Sequence, residues 1–514
     1  MERIYLDNAS TTFPKPETVA QSVYEYMTTA GSIINRGCYQ SAYSVEESVF
    51  DTRQRLAELF NGGDCRNVLF TKNVTESLNV ILKGFLKPGD HVLVSAMEHN
   101  AMMRPLNQLA EQGITFDRIP CTETGELRLD AMEDLLRPNT RLIAMLHASN
   151  VCGTVMPIRQ VGEFARAHGL KFLVDCAQTA GVLSIDMEEM GIDALAFTGH
   201  KGLLAPQGIG GFLLKEEMVA RIEPLLSGGT GSVSHTEEIP AFMPDRFEPG
   251  TMNLPGILGL QAGLAWLEET GIDRVREHEL ALTEEFLRGL MPLEEQGLLR
   301  IVGRRDCRGR TGVVSIQTVT RELSQTAFEL DGTYGIQTRV GLHCAPSAHK
   351  TLGTFPTGTI RFSFGWWNTP EQVEAAGISE ISGMNLLDMD TLFRGEKVQT
   401  QTEGIFENIP GLFACLNGLA YQGYEIHMGR SMERRSAVTC KGNVYGSYIH
   451  GIFDAPGVAE AILGALCRKK GLDPARLGSF DPKAYKEAQY DKLADAVRSG
   501  LDMELVYRVL NREV

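Results

Sequence analysis

An α/β fold with a mostly parallel sheet covered on both faces is what this sequence predicts, and three observations predict it. Short apolar runs recur between residues 67 and 197, stretches of helical period separate them, and polar or glycine-rich segments follow the runs at their carboxyl ends. In chain order, Pro16–Ala30 reads as a helix, with proline in its first turn and Gly31 beyond its end. Ser44–Phe60 reads as a second helix, stopped by Asn61-Gly62-Gly63. Strands follow at Asn67–Thr71, His91–Ser95, Arg141–His147, Lys171–Asp175 and Asp193–Phe197, with helices at Glu76–Phe85, Leu129–Arg137 and Gln160–His168. In such sheets ligands collect at the carboxyl ends of the strands, where loops and helix N-termini converge. From Pro255 the pattern changes to a long helical stretch and then to β-rich segments, Gly312–Gln317 and Thr359–Phe364, which predicts a smaller second domain ending near Ala375. A third segment, from about 380 to 514, opens with the polar Arg394–Thr402 and closes with the helical Tyr485–Leu510.

Composition bounds the function classes. A length of 514 residues suggests three or four domain-sized units, and 43% hydrophobic with 22% charged residues is the balance of a soluble protein with a large core. A net charge of −16 argues against nucleic acid or an anionic membrane as a partner. No apolar run is long enough to span a bilayer, and Met-Glu-Arg-Ile-Tyr-Leu-Asp7 lacks the apolar core of a signal peptide, so the expected location is the cytoplasm. The ten cysteines are scattered, with no Cys-x-x-Cys pair, and read as reduced thiols with no metal site.

The segments that carry chemistry fall at the ends of the apolar runs. One run ends in Thr198-Gly199, and His200-Lys201 follows at once, ahead of the glycine-rich Gly202–Gly211. A lysine there suits a Schiff base with a carbonyl cofactor, because partial desolvation lowers its proton affinity while small neighbours admit a planar ring. A solvated surface lysine is the plain alternative. Asp175 ends the run Phe172-Leu-Val-Asp and precedes Cys-Ala-Gln178; it either meets a cation, such as a protonated pyridine nitrogen, or caps the next helix. Asn73-Val-Thr-Glu-Ser77 opens a helix, and its free N–H groups with the Thr75 hydroxyl make a phosphate cradle or a ligand-free capping box. His99, in Glu98-His-Asn100, is placed to stack on an aromatic cofactor and relay protons, or is simply solvated. Asn150 lies in His147-Ala-Ser-Asn-Val-Cys-Gly-Thr154. Arg361 sits inside an apolar strand, where capture of a substrate carboxylate or an internal salt bridge answers the cost of burying a guanidinium. Cys344, in Gly341-Leu-His-Cys-Ala-Pro-Ser347, has His343 beside it, and a thiolate next to a histidine is an activated nucleophile. A buried inert thiol is the alternative and fits the other cysteines better.

Taken in order, these segments resemble the class V aminotransferase group of pyridoxal-phosphate enzymes of fold type I, and more closely the cysteine desulfurases and selenocysteine lyases. The resemblance covers residues 1–378 and is carried by Tyr5-Leu-Asp-Asn-Ala-Ser-Thr-Thr12, 73–77, Glu98-His99, Ser149-Asn150, Asp175-Cys-Ala-Gln178, Thr198-Gly-His-Lys201, Phe247–Asn253, Gly341–Pro346 and Ile360-Arg-Phe-Ser363. It implies a large domain at 15–255 with a mostly parallel sheet of the seven-stranded type, and a small α+β domain formed by 1–14 and 256–378. It implies pyridoxal 5'-phosphate as cofactor and L-cysteine or L-selenocysteine as substrate. By position, Lys201 is implied to join the cofactor and later move the Cα proton, with Asp175 on the pyridinium nitrogen and Gln178 at the ring's phenolic oxygen. His99 is implied to stack on the ring as a catalytic group. Val74, Thr75, Thr198 and His200 are implied to hold the phosphate, and Asn150 and Arg361 to fix the amino acid. Gly250-Thr251 match the stretch that reaches the phosphate of a neighbouring subunit, which implies a homodimer. Cys344 is implied to attack the substrate's sulfur, giving alanine and an enzyme persulfide, and its short loop is similar to the group that often needs a sulfur-acceptor protein. One departure is that the phosphate loop begins Asn73-Val74, where many relatives carry smaller residues.

Residues 379–514 resemble the end of cobyric acid synthase, a class I glutamine amidotransferase part, through Asn385–Asp390, Gly423–Arg430, Val444–Asp454 and Glu487–Ala494. His450 matches the amidotransferase histidine, but the upstream Cys-Gly-Gly turn that carries the nucleophile is absent, so His450 has no acyl chemistry to assist. The segment reads as half of that fold: a docking module, a relic, or a piece that pairs with another chain. Transamination, another β-elimination, or a corrinoid-pathway glutaminase or binding module are the competing functions for the whole chain.

Overall fold

A computed structural model of the chain describes residues 3–34, 39–319, 321–377, 391–431, 437–447 and 449–474, with 489 and 491–492. The chain divides into two units, Met1–Ser379 and Glu380–Val514. The strands of the first unit are β1 (Ile4–Tyr5), β2 (Val68–Thr71), β3 (His91–Ser95), β4 (Thr115–Ile119), β5 (Thr140–Leu146), β6 (Lys171–Asp175), β7 (Ala194–Thr198), β8 (Gly210–Leu214), β9 (Leu299–Val302), β10 (Val313–Thr318), β11 (Ile336–Gln337), β12 (Arg339–Gly341) and β13 (Thr359–Ser363). Its helices are α1 (Glu17–Glu25), α2 (Gln40–Leu59), α3 (Val74–Phe85), α4 (Asn100–Ala110), α5 (Ile158–Ala167), α6 (Glu216–Val219), α7 (Leu254–Thr270), α8 (Ile272–Glu295), α9 (Leu323–Tyr334), α10 (Pro346–Thr351) and α11 (Pro370–Gly377).

A seven-stranded sheet in the order β2-β8-β7-β6-β5-β3-β4 is the platform of the unit. The pairs β3–β4, β3–β5, β5–β6 and β6–β7 are parallel, and only β8 runs against its neighbours β2 and β7. Because successive side chains of a strand point to opposite faces, both faces must be apolar if both are covered. They are: Leu93, Ile143, Met145, Phe172, Val174, Leu195 and Phe197 join one core. Val92, Val94, Leu142, Ala144, Leu173, Ala196 and Phe212 join another on the opposite side. Burying each of these side chains larger than alanine contributes about 1.5–3 kcal/mol. A second sheet, β12-β13-β10-β9, is antiparallel and packs a third core that includes Phe286, Phe362 and Phe364.

One sequence expectation differs from the structure. Leu129–Arg137 forms two 3-10 turns, Leu129–Ala131 and Glu133–Leu135, in place of a helix. Neither turn has a side-chain cap, and Leu136 is already extended ahead of Pro138. The glycine-rich segment 202–211 runs into β8, which begins at Gly210. A Cβ at Gly210 would lie 2.8 Å from Phe197 O and 2.9 Å from Asn73 Cα, so these glycines permit close approach of backbones within the sheet. Helix α4 runs through Pro105.

Glu279, on α8, is buried, and burial alone pushes its carboxyl up from 4.5 to about 8. The folded state therefore holds this proton more tightly than the unfolded chain, and stability falls as pH rises from about 4.5 to about 8. Glu279→Gln is expected to raise the melting temperature at pH 8 and to leave it nearly unchanged at pH 4.5; an equal shift at both pH values in thermal unfolding contradicts the assignment.

The second unit is built on β14 (Thr391–Ile405), β15 (Ala420–Ser431) and β18 (Ile449–His450), with the hairpin of β16 (Thr439–Lys441) and β17 (Val444–Gly446) and helix α12 (Val458–Lys469). Phe406, Ile409, Leu416, Ile449, Ile452 and Val458 form its core. The Asn385–Asp390 segment lies outside the described residues, as does nearly all of the stretch 485–510 expected to be helical. No helix among the described residues is long and apolar enough to cross a membrane.

Candidate active site

Four neighbouring strands end on the same edge of the large sheet, and each delivers one of the singled-out side chains. Lys201 follows β7, Asp175 is the last residue of β6, Asn150 follows β5 and His99 follows β3. Strand β2 points the same way, so the N-terminus of α3 opens at that edge too.

The Lys201 turn is clamped from the far end of the chain. His200 O accepts from Thr12 N at 3.1 Å, Thr11 Oγ1 at 3.1 Å and Lys15 Nζ at 2.6 Å, and Lys201 O accepts from Thr12 Oγ1 at 2.9 Å. Burial, then the Arg361 charge, push the Lys201 amine down to about 8, against the pull of Asp175 and Asp7. A desolvated amine of this kind is a competent nucleophile near neutral pH.

Asp175 is buried; Oδ1 accepts from Ala177 N at 2.9 Å, and burial raises its carboxyl while Lys201 lowers it. Gln178 Nε2 donates to Ala9 O at 3.1 Å, so in this structure its amide faces the N-terminal segment. His99 is the N-cap of α4: Nδ1 accepts from Ala101 N at 3.0 Å, which leaves Nε2 as the protonated nitrogen. Burial, and then the Lys201 charge, push His99 down to about 4, and the ring is neutral.

An anion cradle lies beside the lysine. Asn73 caps α3 through Oδ1 and Glu76 N, while the amides of Val74 and Thr75 have no partner among the described residues. Thr198 Oγ1 and His200 Nδ1 are buried without partners as well. Free amides at a helix N-terminus together with orphaned buried donors fit a phosphate. The buried Asp175 carboxylate fits a protonated ring nitrogen, and Lys201 fits an aldehyde. The residues present therefore suit pyridoxal 5'-phosphate.

Asn150 joins the lysine edge to the cysteine loop. Its Nδ2 donates to His343 O at 2.7 Å, its O accepts from Arg361 Nη1 at 3.0 Å, and its buried Oδ1 has no partner. Arg361 also pairs with Asp7 at 2.7 Å, so an internal salt bridge is present at the residue expected to receive a carboxylate. His343 and Cys344 both adopt left-handed backbone, with φ of 47° and 57°. Such conformations cost about 1–3 kcal/mol each in non-glycine residues and persist only when the surroundings enforce them. Here the enforcing bonds are Asn150 to His343 O, Asn100 N to Cys344 O at 2.8 Å, and Ala345 N to Leu342 O at 2.8 Å. The result presents Cys344 exposed. The expectation that His343 activates this thiol is not met: the imidazole is buried, its Nε2 lies 2.8 Å from Thr359 Oγ1, and burial keeps it neutral.

Thr251 is exposed and lines a separate cavity of about 280 Å³ with Arg53, Arg66 and Glu248. In the second unit His450 is exposed and stacks on Tyr424 at 5.6 Å. Sequence reading missed Asp7, Ser10, Lys15 and Arg339, although the first two lie within the Tyr5–Thr12 motif; their partners are hundreds of residues away.

The fold and this edge describe an α/β enzyme centred on a desolvated lysine, and comparison places it. The chain belongs to the class-V aminotransferase family: the "Aminotransferase class-V" model matches residues 4–376. Within that family it is similar to a protein of Methanothermobacter thermautotrophicus named "Probable cysteine desulfurase", 32% identical over 74% of this chain and 96% of that one. It is also similar to the cysteine desulfurase CsdA of Escherichia coli, 30% identical over 72% of this chain and 92% of that one. Among solved structures, the apo cysteine desulfurase of Thermococcus onnurineus NA1 matches with a TM-score of 0.67 and 31% identity, covering 73% of this chain and 92% of that one. The "CobB/CobQ-like glutamine amidotransferase domain" model matches residues 366–458.

Proposed function

We propose that this chain is a pyridoxal-phosphate cysteine desulfurase that converts L-cysteine to L-alanine and leaves the sulfur as a persulfide on Cys344. The observation that carries the reading is the desolvated Lys201 amine beside the buried Asp175 carboxylate, with a strained loop presenting Cys344 nearby in the same unit. Val74, Thr75, Thr198 and His200 would hold the phosphate, Asp175 the ring nitrogen, Gln178 the phenolic oxygen and His99 the ring face. Bound there, the coenzyme supplies an electron sink that lets bonds at Cα, and then Cβ–S, be broken. Arg361 and Asn150 hold the substrate's carboxylate end. Lys201 takes the Cα proton and returns it. The Cys344 thiolate attacks the substrate's sulfur, so an S–S bond forms as Cβ–S breaks, and Cβ gains the electron pair and a proton to become the methyl group of alanine. L-selenocysteine is a candidate second substrate by the same chemistry.

Residues 1–14 with 256–378 form the small domain of this reading, 15–255 the large one, and 379–514 the amidotransferase-like piece. A homodimer is supported by exposed Tyr24, Met27, Tyr43 and Phe50 on α1, α2 and the turn following α1, and by the exposed Thr251 loop, which would reach the neighbouring subunit's phosphate. The exposed Cys344 suits transfer of sulfur to an acceptor protein. All described cysteines are free, which supports a reducing, cytoplasmic setting. The test is purified protein loaded with coenzyme and mixed with L-cysteine. Equimolar alanine and protein-bound persulfide sulfur are expected, the sulfur appearing as sulfide only when a thiol reductant is added, and borohydride is expected to fix the coenzyme on Lys201. Pyruvate in place of alanine overturns the reading.

A further inference from the structure

The guanidinium of Arg361 is 2% exposed, and its donors are unevenly used. Nη1 donates to Asn150 O, and Nη2 donates to Asp7 Oδ1 and Ser10 Oγ, both at 2.7 Å. Nε is buried with no partner among the described residues. Nε and Nη2 together make the side-on fork by which an arginine grips both oxygens of a carboxylate. Here one oxygen of Asp7 occupies half of that fork. Ser10 is the hinge of the arrangement: its hydroxyl donates to Asp7 Oδ1 at 2.8 Å and accepts from Arg361 Nη2 and from Arg339 Nη1, both at 2.7 Å. Arg339 faces Arg361 across the β12–β13 ladder, is exposed, and has no carboxylate partner among the described residues.

We propose that Asp7 is a built-in place-holder for the substrate's α-carboxylate: an incoming amino acid displaces it from Arg361 and fills the Nε–Nη2 fork, and Asp7 passes to Arg339 across the shared Ser10 hydroxyl. This rests on the L-cysteine reading above and deepens it. A buried guanidinium left without an anion is costly, so the resting protein keeps one on it. The exchange swaps one carboxylate for another on Arg361, and it replaces a one-oxygen contact with a two-oxygen one. The waiting Arg339 spares Asp7 an unpaired state. A further consequence is selectivity: an amine without a carboxylate has nothing with which to dislodge Asp7. Asp7 is thus a positioning residue that acts through Arg361.

The test uses the coenzyme-loaded protein, with L-alanine binding followed by coenzyme absorbance and L-cysteine turnover measured in parallel. Asp7→Asn keeps an oxygen for Arg361 but removes the competing charge; it is expected to lower the L-alanine Kd and the L-cysteine KM about tenfold, the worth of one charge-assisted hydrogen bond, without raising kcat. Ser10→Ala loosens Asp7 and is expected to move both constants the same way by about threefold, the worth of one ordinary hydrogen bond. Cysteamine binding is expected to be unmoved by either. A purely structural Asp7 predicts the opposite sign, with weaker L-alanine binding, and that result, unchanged constants, or no L-alanine binding by any of the three proteins overturns the proposal. If Asp7→Asn does not fold, Ser10→Ala decides. Should the unaltered protein form no alanine from L-cysteine while Asp7→Asn still tightens L-alanine, the desulfurase reading fails and the place-holder stands.

Discussion

Replacing Cys344 with serine is expected to reduce alanine formation from L-cysteine by at least about a thousandfold, as removal of a nucleophile does when no other group can take its place. Serine keeps the size of the side chain, and the loop is held through backbone atoms by Asn150 and Asn100. Fold and coenzyme absorbance should therefore persist. What is lost is the sulfur atom that forms the new S–S bond. The prediction separates a desulfurase from a transaminase or β-lyase, whose turnover needs no thiol in this loop. Mass spectrometry of the protein after incubation with L-cysteine checks it: the unaltered protein should gain one sulfur atom on the peptide containing Cys344, and the serine variant none. Undiminished alanine production by the variant would remove the nucleophile from Cys344.

Lys201→Ala is expected to abolish turnover, by about 10²–10⁴-fold from lost proton transfer alone, and also to abolish borohydride fixation of the coenzyme. The two losses have one origin, the amine that burial pushes down to about 8. The sign for pH follows. In the folded protein more of this amine is neutral at a given pH than on an exposed lysine, and the neutral form is the nucleophile. The rate at which coenzyme-free protein takes up pyridoxal phosphate should climb with pH and level off above about 8, not near the ordinary lysine value of 10.5. A linear rise through pH 10 in stopped-flow absorbance would show that Lys201 is not desolvated. Folding responds in the same direction: a buried lysine with a depressed value costs stability increasingly as pH falls from about 10.5 to about 8.

Much of the large sheet was legible because strands buried on both faces must be apolar at consecutive positions, as in Val92-Leu-Val94 and Phe172-Leu-Val174. Strand β4 escaped notice because it is an edge: Thr115 and Arg118 are exposed, so its apolar signal is broken. Strand β8 escaped because glycines that look like a loop are there to let backbones approach. Lys201 and Asp175 stood out in sequence because a polar residue that ends an apolar run is conspicuous. His343 misled for the same reason that sequence neighbours often do. Adjacent residues in a turn face different ways, and Thr359, not Cys344, receives its ring.

By itself, the sequence determined the central strands of the large sheet, which of their ends carry polar side chains, and that Lys201 and Asp175 stand there, because apolar periodicity and local composition are short-range properties of a chain. Tertiary structure alone decided that Asp7 would sit on Arg361, that Thr11, Thr12 and Lys15 would grip the Lys201 turn, and that Cys344 would be held exposed in a left-handed backbone. Those contacts join residues as much as 354 positions apart. Their energies come from burial and the pairing of charge, and these exist only after the β1 end of the chain has been laid against β13.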